Sequence, residues 1–110
     1  MRILIVDDEE CLREVFANTL EAKGHDVTTA VNGRDGVYKF RTAEPPFDAV
    51  LSDWNMPQMN GYAMVVEILK MAPATKVVMM SGEPSNKPPE GVTLLEKPFK
   101  RDDLFKALGI

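Results

Sequence analysis

Ala49-Val50-Leu51-Ser52-Asp53-Trp54-Asn55-Met56-Pro57-Gln58-Met59-Asn60-Gly61 is the stretch that decides the fold, because an apolar run ends in it at a carboxylate, a turn and a glycine. Pro45-Pro46 on one side and Pro57 on the other leave room for a buried strand but not for a helix. An acid at the carboxyl end of such a strand sits where open α/β sheets bind their ligands, since the connecting loops part there and leave a crevice. Asp53 is therefore the first candidate functional residue. A carboxylate in that place can also do no more than cap the following turn.

Towards the amino end, Ile3-Leu4-Ile5-Val6 reads as a β-branched strand stopped by Asp7-Asp8-Glu9-Glu10. Leu12, Val15, Phe16 and Leu20 then recur at helical spacing until Gly24 closes the helix. Val27 to Ala30 is a second strand, Asn32-Gly33 a turn, and Arg34 to Ala43 a helix with Val37 and Phe40 inward, ended by Pro45-Pro46. Towards the carboxyl end, Gly61 opens a third helix with Met64, Val65, Ile68 and Leu69 on one face, and Pro73 stops it. Lys76–Met80 and Val92–Leu95 are the last strands, and Leu104, Phe105 and Leu108 mark a short final helix. Strands alternating with helices at this spacing predict an α/β fold: a parallel sheet covered on both faces, with right-handed connections.

The chain of 110 residues fits one domain, residues 1–110, with 45% hydrophobic and 27% charged residues placing it among ordinary globular proteins. A net charge of −4, with no basic cluster beyond Lys97–Arg101, argues against a nucleic-acid partner. Cys11 has no partner for a disulfide, and His25 alone offers no zinc set, so a reducing cytoplasm suits the chain. No stretch approaches the ~20 apolar residues of a membrane span, and the opening apolar run is too short for a secretion signal.

Four strand ends point into one crevice: Asp7 and Asp8 after the first, Asp53 after the third, Ser81 after the fourth and Lys97-Pro98 after the fifth. Crowded carboxylates repel and hold protons unless a cation compensates, and a hard divalent ion, Mg²⁺ foremost, suits oxygen ligands. With the ion present Asp53 can stay an anion and attack phosphorus, while Lys97 and Ser81 meet the charge on the phosphoryl oxygens. Each piece has a bland reading. Asp7-Asp8-Glu9 can cap the first helix, Ser81-Gly82 can be a turn, and Lys97 can be a surface lysine. Their co-occurrence in order after different strands favours the chemical reading.

These residues resemble those of a known family. The acid pair, Asp53-Trp54-Asn55-Met56-Pro57, Ser81 and Lys97-Pro98 resemble the receiver domain of two-component response regulators, and Asp53 to Gly61 is most similar to the single-domain chemotaxis type. The resemblance implies a flavodoxin-like, doubly wound five-stranded sheet of order 2-1-3-4-5. It implies Asp53 as phosphoacceptor, Asp8 as a direct Mg²⁺ ligand with Asp7 acting through water, and the backbone carbonyl of Asn55 as a further ligand. Ser81 would bond the phosphoryl group, Lys97 would pair with it, and the Lys97–Pro98 bond would be cis. Asn55 and Glu83 would stand at the positions that tune phosphate loss in relatives. The phosphoryl donor would be a sensor histidine kinase or a phosphotransfer protein. The chain would be no enzyme beyond catalysing its own phosphorylation and dephosphorylation, and would be a monomer or weak homodimer.

Departures from the family pattern are also expected. Gly82 to Gly91 is too short and too rich in proline for the usual fourth helix, which should be missing or reduced to a turn, leaving apolar sheet surface open. Leu94 stands where relatives carry an aromatic switch residue. A receiver-like interaction module without phosphorylation-driven switching is thus the alternative function. A phosphatase of the haloacid dehalogenase type would need an acid where Asn55 stands. A flavodoxin-like nucleotide binder would need a phosphate-friendly first loop in place of Asp7-Asp8-Glu9-Glu10.

Overall fold

The computed structural model describes residues 1–56, 58–83 and 85–110. Five strands, β1 (Arg2–Val6), β2 (Asp26–Ala30), β3 (Ala49–Asp53), β4 (Lys76–Ser81) and β5 (Thr93–Glu96), form one parallel sheet of order β2-β1-β3-β4-β5. Four helices, α1 (Glu10–Ala22), α2 (Gly33–Thr42), α3 (Gly61–Met71) and α4 (Arg101–Leu108), complete the described elements. The α/β class is the one the sequence pattern predicts, and the sheet order is the one the resemblance implies.

The unbroken apolar runs follow from burial of both faces. Leu4, Val6, Val50, Val77 and Met79 pack on one side with Val37 and Phe40 of α2 and Met64, Val65 and Ile68 of α3. Ile3, Ile5, Leu51, Val78 and Met80 pack on the other with Phe16 and Leu20 of α1 and Leu104 and Leu108 of α4. Side chains alternate across a strand, so one run feeds two cores.

Two helices start where a side chain can satisfy a free backbone N–H. Asn32 Oδ1 accepts from Asp35 N at 2.9 Å, and Asn60 Oδ1 accepts from Ala63 N at 2.8 Å. At α1 the residue in that place, Glu9, makes no such side-chain bond. The first loop is shaped otherwise, as the site shows.

Between β4 and β5 the described residues form turns and no helix, so the helix usual in relatives is missing here and α4 is the final one. Pro88 and Pro89 have no N–H to give a helical ladder, and Gly91 adopts φ +84°. The thinner cover shows mainly on β5, where Thr93, Leu94 and Leu95 are only half-buried, whereas Val77 and Met79 of β4 stay buried. Among the described residues no helix is long and apolar enough to cross a membrane.

Candidate functional site

Register carries the candidate residues to one edge of the sheet. Ile5 pairs with Leu51 and Val6 with Ser52, so Asp7 and Asp8 leave β1 beside the end of β3, where Asp53 pairs with Met80. Asp53 Oδ1 lies 2.7 Å from Lys97 Nζ, an ion pair spanning 44 residues of chain. One carboxylate oxygen each from Asp7, Asp8 and Asp53 lie within 4.8 Å of one another.

Asp7 is the most constrained of the three. Its side chain is buried. Its backbone N–H donates to Ala30 O at 3.2 Å, and its Oδ1 accepts from Glu9 N at 2.9 Å. Its Oδ2 is buried and has no hydrogen-bond partner among the described residues. Burial pushes its pKa up to about 6; the Glu9 N–H opposes this, the negative charge of Asp53 adds to it, and Lys97 and Asp8 pull in opposite directions more weakly. The acids therefore do not serve α1 as a cap; an orphaned buried carboxylate oxygen is costly unless something outside the chain completes it. Three oxygen donors with excess negative charge fit a hard divalent cation such as Mg²⁺.

The end of β3 is held by close packing. Ser52 Oγ donates to the Asp53 carbonyl at 2.8 Å, Trp54 N donates to Met80 O at 3.0 Å, and Gly61 N donates to Trp54 O at 2.9 Å. Gly61, the first residue of α3, sits directly against the Asp53 carbonyl oxygen, where any Cβ would overlap it.

Ser81 is at the site's edge, but its hydroxyl is engaged elsewhere. Ser81 Oγ accepts from Glu83 N at 2.9 Å and from Asn86 Nδ2 at 2.8 Å, and donates to Glu83 O at 3.2 Å. It makes no hydrogen bond to Asp53 among the described residues. Asn55 and Glu83 are exposed flanking positions, and the Lys97–Pro98 bond is cis. The structure thus brings Asp7, Asp8, Asp53 and Lys97 together and leaves the Ser81 hydroxyl in the β4–β5 loop. Pro57 of the quoted motif lies outside the described residues. Sequence reasoning passed over Asn86 and Arg13, whose partners lie across turns; an Arg within one and a half helical turns of the acids was the available signal for the second.

A parallel sheet with carboxylates and a lysine gathered at its carboxyl edge defines a phosphate-handling α/β domain. Residues 3–109 match the model of the response regulator receiver domain, and the chain belongs to that family, the receivers of two-component signalling. The chemotaxis protein CheY of Thermotoga maritima is 37% identical over 81 residues, covering 73% of this chain and 66% of that protein. CpdR of Brucella abortus is 29% identical over 113 residues, covering 97% of this chain and 92% of that one. The match thus spans just under two thirds of the Thermotoga relative. Among solved structures, Vibrio cholerae CheY4 aligns at 33% identity with a TM-score of 0.83 over 98% of this chain and 95% of that one. A receiver domain from Clostridium thermocellum aligns at 30% identity and a TM-score of 0.90, over 98% and 90%.

Proposed function

We propose that residues 1–110 act as one receiver in which Asp53 takes a phosphoryl group from the phosphohistidine of a sensor histidine kinase or phosphotransfer protein. The observation that carries this reading is the 2.7 Å Lys97–Asp53 pair beside two further carboxylates. One Asp53 oxygen forms a bond to phosphorus as the bond from phosphorus to the donor's imidazole nitrogen breaks, and the electron pair stays on the leaving nitrogen. Asp8, Asp53 and the Asn55 carbonyl would hold Mg²⁺, with Asp7 bonding through water. When bound, the ion offsets the negative charge shared by carboxylates and phosphoryl oxygens.

Lys97 is placed to follow the charge. Once Asp53 is phosphorylated, the Lys97 ammonium pairs with a phosphoryl oxygen in place of the carboxylate. Dephosphorylation is attack by water on the same group, and Asn55 and Glu83 flank its approach. Asn55 offers no carboxylate to activate that water, which makes the phosphorylated state long enough lived to signal. A cytoplasmic setting suits the free, exposed Cys11. Its self-association is at most a weak homodimer.

Incubation with Mg²⁺ and a small acyl phosphate, followed by intact-mass measurement, tests the reading. The expected result is one added phosphoryl group that needs Mg²⁺ and is absent from Asp53→Asn. An adduct surviving in that variant would rule the assignment out.

The Ser81 hydroxyl has to leave Asn86 and Glu83 to reach the phosphoryl group, so those bonds weigh the resting arrangement. A ligand shifts such an equilibrium only by its differential affinity for the two states. Asn86→Ala removes one of the two bonds Ser81 Oγ accepts, of a kind each worth about 1 kcal/mol. The variant should need several-fold less of a phosphate mimic to move amide resonances across 82–95; an unchanged midpoint would show that Asn86 does not hold the hydroxyl.

A further inference from the structure

Arg13 stands on the first turns of α1, and its guanidinium does not pair with an acid. Glu9, Glu10 and Glu14 surround it in sequence, yet among the described residues no carboxylate lies within 4.0 Å of it. Instead Arg13 Nη1 donates to the backbone carbonyl of Asp7 at 2.8 Å. A half-buried cation that passes over three neighbouring carboxylates for one carbonyl marks that carbonyl as a place where orientation matters.

The carbonyl belongs to the peptide unit joining Asp7 to Asp8. Because that unit is planar, the direction of its C=O also sets where the Asp8 N and Cα lie, the point from which the Asp8 side chain departs. Asp7 itself is held at its N–H by Ala30 and at Oδ1 by Glu9. The Arg13 bond adds a restraint on the carbonyl, and so on the peptide plane from which both acids project. From this geometry we infer that Arg13 is a positioning residue for divalent-cation binding: it aims Asp7 and Asp8 jointly at Asp53 through the Asp7–Asp8 peptide plane. The inference rests on the proposed Mg²⁺ site.

The sign of the effect separates positioning from simple charge. Deleting a cation beside a cation site should tighten Mg²⁺ binding if only Coulomb repulsion mattered. Loss of an outer partner that orients ligands should weaken it, by roughly 10–100-fold. Mg²⁺ titration of the purified chain is read from the emission of Trp54, the single tryptophan, next to Asp53, and by calorimetry. Arg13→Ala should raise the Mg²⁺ Kd at least about tenfold with an unchanged far-UV spectrum, and Arg13→Lys should recover part of the loss. If the alanine variant does not fold, Arg13→Gln is read by the same criterion. A Kd within about twofold of wild type, or lower, overturns the inference. Asp8→Asn keeps the two claims apart: if it abolishes binding while Arg13→Ala leaves the Kd within about twofold of wild type, the Mg²⁺ site stands and the role of Arg13 falls. If wild type binds no Mg²⁺, both fall.

Discussion

With divalent cations chelated and near neutral pH, Asp7→Asn should make the protein more stable than wild type, by up to about 3 kcal/mol. The folded state lifts the Asp7 pKa from 3.8 to about 6, chiefly by burial, so folding favours the protonated acid. A raised carboxyl pKa contributes stability that is fully present below the unfolded value and lost as pH rises through the folded one. Metal-free wild type should therefore weaken between about pH 4 and pH 6 relative to Asp7→Asn, whose neutral amide keeps an oxygen for the Glu9 N–H. Asparagine also places an N–H₂ donor where the orphaned Oδ2 stood, beside the carboxylates of Asp8 and Asp53. Added Mg²⁺ should reverse the ranking, because a ligand that binds only the folded state stabilises it and the variant has lost part of the site. Urea denaturation across this pH range, with and without Mg²⁺, reads both effects. Equal stabilities at neutral pH would mean that Asp7 pays nothing for its burial.

Gly61→Ala should damage both the fold and the site with a single added methyl. The new Cβ would overlap the Asp53 carbonyl oxygen and come within 3.2 Å of the Met79 methyl group. Backbone on one side and core on the other leave little room to yield, so either α3 lifts from the sheet or the end of β3 shifts. A loss of about 2–4 kcal/mol is expected, at or above the upper end of ordinary overpacking. The chemistry should suffer with the fold, since the carbonyl being pushed belongs to the residue paired with Lys97. Gly82 is the control: nothing lies within 4 Å of a Cβ there, and Gly82→Ala should unfold close to wild type. Indistinguishable urea midpoints for the two variants would contradict the packing described at β3.

The fold was legible because both faces of the sheet are buried. Ile3-Leu4-Ile5-Val6 and Ala49-Val50-Leu51 are unbroken apolar runs for that reason, and helical spacing at Met64, Val65 and Ile68 is what a helix covering one face requires. Element ends were read less well. Asp53, Ser81 and Glu96 each continue a strand beyond its apolar run, because ladder bonds at the carboxyl edge do not depend on hydrophobicity. Asp7, Asp8, Asp53 and Lys97 could be found because each stands at or just past the carboxyl end of a strand, and in a parallel sheet all such positions converge. The Ser81 hydroxyl was beyond reach, since its direction is decided by Asn86 and Glu83 in a loop without periodicity. Gly61 read as a helix start, not as the surface against which the Asp53 carbonyl rests.

Where the phosphoryl group sits is the most direct test of the whole account. Borohydride reduces an acyl phosphate on aspartate to homoserine, marking the acceptor in the peptide sequence. After phosphorylation in the presence of Mg²⁺, homoserine should appear at residue 53 and nowhere else. Homoserine at Asp7 or Asp8, or none in a sample that has gained a phosphoryl group, would contradict it.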